Sequence, residues 1–484
     1  MFRPVILAAA RPSTRPGALM LAVVLGLAGC AQLPSLSGAS RLKPAGEYQT
    51  ATAFAAPSGA WPVERWWSSY GDAQLDALVD EALRDSPDMQ AAVARVRRAE
   101  AFGQVAGAAL LPRVDANAAA SEQKLSYNHL TPRAMTPQGW NDYGRLSLDL
   151  NWELDFWGRN RAALAAATSQ IEASRAEQAQ VRLNLAAAVA ANYAELAQLH
   201  AVRDTVARSV QIRGKTAELF NERFHNGLET RGGVNDARAR LAAAEGELLA
   251  MDEQIGLQRN RLAALLGAGP DRGLAIARPA VQLSGEFGLP AELAANLLGR
   301  RPDVVAARLM AEAQASRIEQ KKAEFYPNVN LSAFIGVQAL GLDLLTRGGS
   351  SIGSIGPAIS LPVFSAGRLQ GELRGAAASY EEAVANYNRT VTQALQDVAS
   401  AGLSQQALAA QLVKGREAVA AAAEAHRVAR NRYEGGLANY IEVLFAEDAL
   451  LGSQRNLAIL QSRAFALDVA LKRALGGGYQ NSNA

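Results

Sequence analysis

The sequence holds a single cysteine, Cys30, in 484 residues, so no disulfide can form within the chain. Its four histidines, His129, His200, His225 and His426, are scattered, with no metal-ligand spacing and no nucleophile beside them. The six methionines are dispersed, which argues against a thioether pathway for copper or silver. There is no Walker loop and no dinucleotide fingerprint. These absences point away from an enzyme, a cofactor or a resident metal. A surplus of charge is missing too. Arg3, Arg11 and Arg15 account for the whole formal charge of +3, and beyond residue 29 there remain 46 basic and 46 acidic residues. A neutral body gives no electrostatic reason to expect nucleic acid as a partner. The apolar run from Ala18 to Ala28 is too short to cross a bilayer as a helix. Proline is absent from residues 138–269 and again from 363–484, and aromatic residues are few.

What fills the proline-free stretches is a helical pattern. From Gly367 to Glu434, apolar side chains recur at Leu369, Leu373, Ala376, Tyr380, Val384, Tyr387, Val391, Leu395 and Val398. The steps of three and four close on eleven residues rather than seven, which keeps one face in register along a nearly straight rod. Such a helix is about 100 Å long. Its stripe cannot be buried alone, so it must lie against other rods. Gly158 to His225 predicts a second helix of the same kind, and the abundance of alanine suits close helix approach and high helix propensity.

The N-terminus reads as a secretory signal over residues 1–29. It ends in Leu27-Ala28-Gly29-Cys30, which looks like a bacterial lipobox with Cys30 as the lipidated residue. Residues 31–60, rich in Ser, Ala, Gly and Pro, predict a poorly ordered tether. Residues 30–70 as a whole are the lipidated tether plus an equatorial N-terminal segment containing the aromatic cluster Trp61–Tyr70. A short helix is expected over Leu75–Leu83. Ser86-Pro87-Asp88 then starts another, with a cap, a proline at the first helical position and an early acid.

The body is an internal duplication. Ser86-Pro87-Asp88 recurs as Arg301-Pro302-Asp303, and Leu111-Pro112-Arg113-Val114 as Tyr326-Pro327-Asn328-Val329, both 215 positions later. Gly158-Arg159 matches Gly367-Arg368 and Arg223–Leu228 matches Arg432–Leu437, at an offset of 209. The first copy spans residues 71–267, a linker 268–300, the second copy 301–476 and a tail 477–484. Each copy predicts a helix, two strands, a very long helix, a Gly-rich turn and a return helix. The strands alternate apolar and polar residues over about ten positions, as in Leu146-Ser147-Leu148-Asp149-Leu150-Asn151-Trp152-Glu153, a length that suits a transmembrane barrel. Runs from Val114 to Ser121, Val329 to Val337 and Ile355 to Val363 alternate likewise, with Pro357 suggesting a bulge. Trp140, Tyr143, Trp152, Phe156, Trp157, Phe325 and Tyr326 lie near strand ends, where an aromatic girdle would sit. Four strands cannot close a membrane barrel, whose smallest kind needs about eight. Three chains would pool twelve.

On this frame the chain resembles the outer-membrane efflux ducts, the TolC-like proteins, and within them the lipidated branch serving resistance–nodulation–division (RND) pumps. The resemblance rests on Leu27-Ala28-Gly29-Cys30, Trp66-Trp67-Ser68-Ser69-Tyr70-Gly71-Asp72, Arg300-Arg301-Pro302-Asp303, Phe325-Tyr326-Pro327, Leu361–Arg368 and Ala474-Leu475-Gly476-Gly477-Gly478. It implies a mainly α protein with a membrane β-barrel: a homotrimer sharing a twelve-stranded barrel in the outer membrane, and a long α-helical barrel in the periplasm. It implies a periplasmic adaptor and an inner-membrane RND transporter as partners, and drugs or other toxic small molecules as cargo. An exit duct for a type I protein secretion system is the alternative, and a purely structural periplasmic coiled coil is a rival of another class.

The resemblance also implies that the Gly-rich turns are periplasmic tips that dock the adaptor, through Gly227, Leu228 and Thr230 in one turn and Gly435, Gly436, Leu437 and Asn439 in the other. Asn439-Tyr440-Ile441-Glu442 reads as a capping box. Thr230-Arg231-Gly232-Gly233 lacks the acid, so that turn should be looser. Family members often carry Asp-Ala-x-Arg early in the last helix, near the closed pore. Here those positions read Phe445-Ala446-Glu447-Asp448, while Asp236-Ala237-Arg238 stands in the first copy. The gate candidates are therefore Phe445, Glu447, Asp448 and Asp236.

Overall fold

The computed structural model describes residues 40–128, 132–281, 288–290 and 293–480. The signal segment and Cys30 lie outside them. The elements run α1 (Ala73–Asp85), α2 (Pro87–Ala108), β1 (Arg113–Gln123), β2 (Asn141–Glu153), α3 (Arg159–His225), α4 (Arg231–Leu265), α5 (Pro270–Leu274), α6 (Leu293–Arg300), α7 (Pro302–Ala323), β3 (Asn328–Leu340), β4 (Ser351–Ser360), α8 (Arg368–Glu434) and α9 (Tyr440–Ala474). The long helices α3 and α8 are each 67 residues, and the return helices α4 and α9 are each 35. Equal lengths in both halves bear out the duplication. Neither long helix contains a proline, and each begins directly after a glycine of positive φ, Gly158 or Gly367. The apolar stripe of α8 is buried at Leu369, Leu373, Val384, Tyr387, Val391 and Val398.

The chain divides into two compact units. One comprises residues 99–171 and 310–384 together with the described residues 40–41. Its centre is an antiparallel sheet in the order β1-β2-β3-β4. Register pairs Ala116 with Leu148, Leu148 with Ile335 and Ala333 with Ile355, which gathers Val114, Leu146, Leu148, Ile335, Ile355 and Ile359 on one face. All six are exposed. The opposite face is polar: Asp149 accepts from Asn117 Nδ2 at 2.8 Å and from Ser147 Oγ at 2.7 Å. Pro357 makes no bulge. The β3–β4 register is unbroken, and Gln338 N–H bonds to Ser350 C=O, so that in alternation Leu331–Pro357 is a non-hydrogen-bonded pair. The nitrogen of Pro357 points away from β3 and its missing donor costs that ladder nothing. β4 also ends earlier than expected, at Ser360, just ahead of Leu361-Pro362. The aromatic girdle is only partly present. Trp157 stacks on Tyr326 at 4.8 Å and Trp140 is exposed, but Phe325 is buried against Leu369 and Leu373, and Tyr143 lies on the polar face.

The other unit comprises the described residues among 42–98, 172–309 and 385–480. Trp66, Trp67 and Tyr70 are buried in its core with Leu75, Leu78, Tyr193 and Phe465. Asp72 caps α1 through Gln74 N–H and also accepts from Tyr193 Oη at 2.7 Å and Ala280 N–H at 2.8 Å. The motif at Arg301 is structural as well. The buried guanidinium bonds Asp303 at 2.6 Å, Asp397 at 3.0 Å and the Ala474 carbonyl at 3.3 Å. Gly476 and Gly478 have positive φ, and a Cβ on either would fall within 2.5 Å of the backbone at Arg300 or Val63. The expectation of a loose tether fails for its described part. Leu42, Tyr48, Phe54 and Ala56 pack on the core, because this stretch, though rich in small residues, carries enough apolar side chains to anchor it.

Candidate functional site

Two helix reversals in the second unit are built alike. At the end of α3, Gly227 sits at φ 72°, with its N–H on Phe224 C=O at 3.0 Å and Leu228 N–H on Arg223 C=O at 2.8 Å. At the end of α8, Gly436 sits at φ 72°, with its N–H on Tyr433 C=O at 3.0 Å and Leu437 N–H on Arg432 C=O at 2.8 Å. Both are Schellman closures, which need a residue free to adopt positive φ, and Gly435 precedes the second as the half-in residue. In such closures the residue after the glycine often folds back onto the helix. Here Leu228 and Leu437 instead stand 65% and 75% exposed.

The caps differ from expectation. Thr230 Oγ1 accepts Gly233 N–H at 3.0 Å, and the Glu229 carboxylate accepts Thr230 N–H at 2.8 Å. The acid missing three residues on is replaced by one immediately before, so this turn is no looser in its bonding than the other. Asn439 Oδ1 accepts Glu442 N–H at 3.3 Å, but Glu442 turns to Arg432 at 3.1 Å and leaves the capping box half made. Tyr440 ties the two turns together. It lies edge-on to Phe220 at 4.5 Å and to Tyr433 at 5.1 Å, and its hydroxyl donates to Thr216 at 2.9 Å.

Above the turns the structure brings three of the four gate candidates into one cluster. Asp448 on α9 accepts Arg213 Nη2 from α3 at 2.8 Å and Arg240 Nη1 from α4 at 3.3 Å. Arg240 Nε also reaches Asp236 at 2.9 Å. Glu447 is 3% exposed, and its nearest cation, Arg213, is 3.9 Å away. Burial pushes its carboxyl above the usual glutamate range, with Asp448 adding to the shift and Arg213 and Arg240 opposing it. Phe445, one turn earlier, stands apart from the cluster and is 72% exposed in the single chain. Arg213 and Arg240 were absent from the sequence reading. Arg238, noted there beside Asp236, bonds Asn221 instead. Among the described residues no group of histidine, cysteine or acid side chains could hold a metal.

The comparisons with known proteins fit this geometry. The family described as outer membrane efflux protein matches residues 78–268 and 293–477. The chain is 32% identical to the multidrug resistance outer membrane protein MdtQ of Escherichia coli O157:H7, over 97% of this chain and 99% of that one. It is 36% identical to the fusaric acid resistance protein FusA of Burkholderia cepacia, over 74% of this chain and 68% of that one. Among solved structures, the outer membrane protein VceC of Vibrio cholerae superposes with a TM-score of 0.83 at 48% identity, covering 87% of this chain and all of that one. Structural neighbours within the family are channel proteins, not enzymes, and in this fold three chains share one β-barrel and one α-helical barrel. This chain belongs to the outer membrane efflux protein family.

Proposed function

We propose that this chain is the outer-membrane exit channel of a tripartite efflux pump, a passive duct for drugs or other toxic small molecules. The observation that carries the reading is the open four-stranded sheet, whose exposed apolar face carries Val114, Leu146, Leu148, Ile335, Ile355 and Ile359. Open edges and an apolar outer face persist in a bilayer only when other copies complete the barrel. Drug-resistance names among the relatives favour a pump over a protein secretion system. The adaptor is a periplasmic membrane-fusion protein that seats on Leu228 and Leu437 and the turns around them, and the transporter is of the RND class. The closed pore is an apolar ring of Phe445 braced by the Asp448 cluster. Cys30 adds a lipid anchor, tested by labelled palmitate incorporation that Cys30→Ser abolishes. Deleting the gene and restoring it on a plasmid tests the whole reading. Sensitivity to several chemically unrelated drugs should appear and then vanish, whereas unchanged sensitivity throughout would contradict it.

A further inference from the structure

At the end of the sheet remote from its helices, β1 leads into the connection to β2, and two cations there share one aromatic ring. Lys124 Nζ lies 5.8 Å and Arg133 Cζ 5.4 Å from the centroid of Tyr127. The ring is fixed by its hydroxyl, which accepts Gly139 N–H at 2.9 Å. Among the described residues neither cation has an acidic partner within ion-pair distance. The acids of this rim, Glu122 and Asp142, face each other across the β1–β2 pair, and Asp142 is engaged by Leu342 N–H at 2.8 Å. Beside the cations, Met135 and Trp140 are 75% and 69% exposed. Two like charges held on one ring repel each other, and a shared anion would offset that repulsion. Exposed apolar side chains beside unpaired cations match an anionic headgroup joined to hydrocarbon.

We propose that Lys124, Arg133 and Tyr127 form a binding site for the phosphates of lipid A in the outer leaflet, with Trp140 and Met135 against its acyl chains. The site rests on the barrel's place in the outer membrane and not on the identity of the cargo or pump. Each cation contributes what a cation facing an anionic lipid surface ordinarily does.

The test uses the full-length trimer in detergent, with lipid A binding counted by native mass spectrometry. K124Q/R133Q should bind lipid A roughly thirtyfold more weakly than wild type. Dephosphorylated lipid A should bind wild type no better than lipid A binds the double variant, and phosphatidylglycerol should bind wild type more weakly than lipid A. Arg347→Gln, on the other connection and paired with Asp343, should change nothing. Channel conductance of every variant confirms that it has folded. Equal lipid A binding by wild type and the double variant, indifference to the phosphates, or equal binding of phosphatidylglycerol would each overturn the proposal.

Discussion

Asp448 and Arg213, 235 positions apart in sequence, meet at 2.8 Å and join the return helix of the second repeat to the long helix of the first. Arg240 bridges Asp448 to Asp236 from α4, so one carboxylate holds three helices. In the proposed closed pore this cluster braces the helices that carry Phe445. Phe445→Ala, which removes the apolar ring itself, should raise basal conductance severalfold and sensitise cells to large antibiotics such as vancomycin. Asp448→Ala should raise it less, because the ring remains. The reverse order in planar-bilayer recordings would assign closure to charge pairing.

Much of the fold was legible because its signals are local. Proline-free intervals marked out the long helical stretches, and the glycines at Gly158 and Gly367 and in the two turns placed the ends of both long helices to within a residue. The partners of the gate acids were not legible. Arg213 and Arg240 lie on long helices among many other charged residues, and nothing in their spacing separates them from a solvated face. Glu229 escaped notice because the capping-box pattern looks for its acid after the cap, not before it. Phe325 resembled a girdle residue by its place beside a strand. Its burial is decided by Leu369 and Leu373, more than forty positions away.

Glu447 predicts a pH effect. In the folded protein its carboxyl titrates above its ordinary value, so the folded chain holds that proton more tightly than the unfolded one. Stability from this group is therefore present at acid pH and lost as pH rises through the raised value. Glu447→Gln should be at least as thermally stable as wild type at pH 7, with the two melting temperatures converging towards pH 4. A variant clearly less stable at pH 7 would show that Arg213 needs this carboxylate.

The tips predict a separation of assembly from transport. Leu228 and Leu437 are exposed, so Leu228→Ser with Leu437→Ser should change stability by no more than about 0.5 kcal/mol per site. Drug resistance should nevertheless fall towards that of the deletion strain, while purified trimer conducts normally. Retained resistance at equal expression would place the adaptor elsewhere.

Arg301 predicts a purely structural loss. Arg301→Ala leaves Asp303, Asp397 and the Ala474 carbonyl without their shared donor, at a cost of about 3 kcal/mol. Limited proteolysis should cut the variant faster in the unit that contains α6 and α9. Equal protection in wild type and variant would remove this network from the account of stability.

The central claim is that several copies complete one membrane channel, and recording from purified wild-type protein of known native mass tests it most directly. The account predicts that the conducting species is three chains and that it shows small basal steps which Phe445→Ala enlarges. A monomer that keeps its full β-structure in the bilayer, or a trimer that inserts and never conducts in either form, would contradict it.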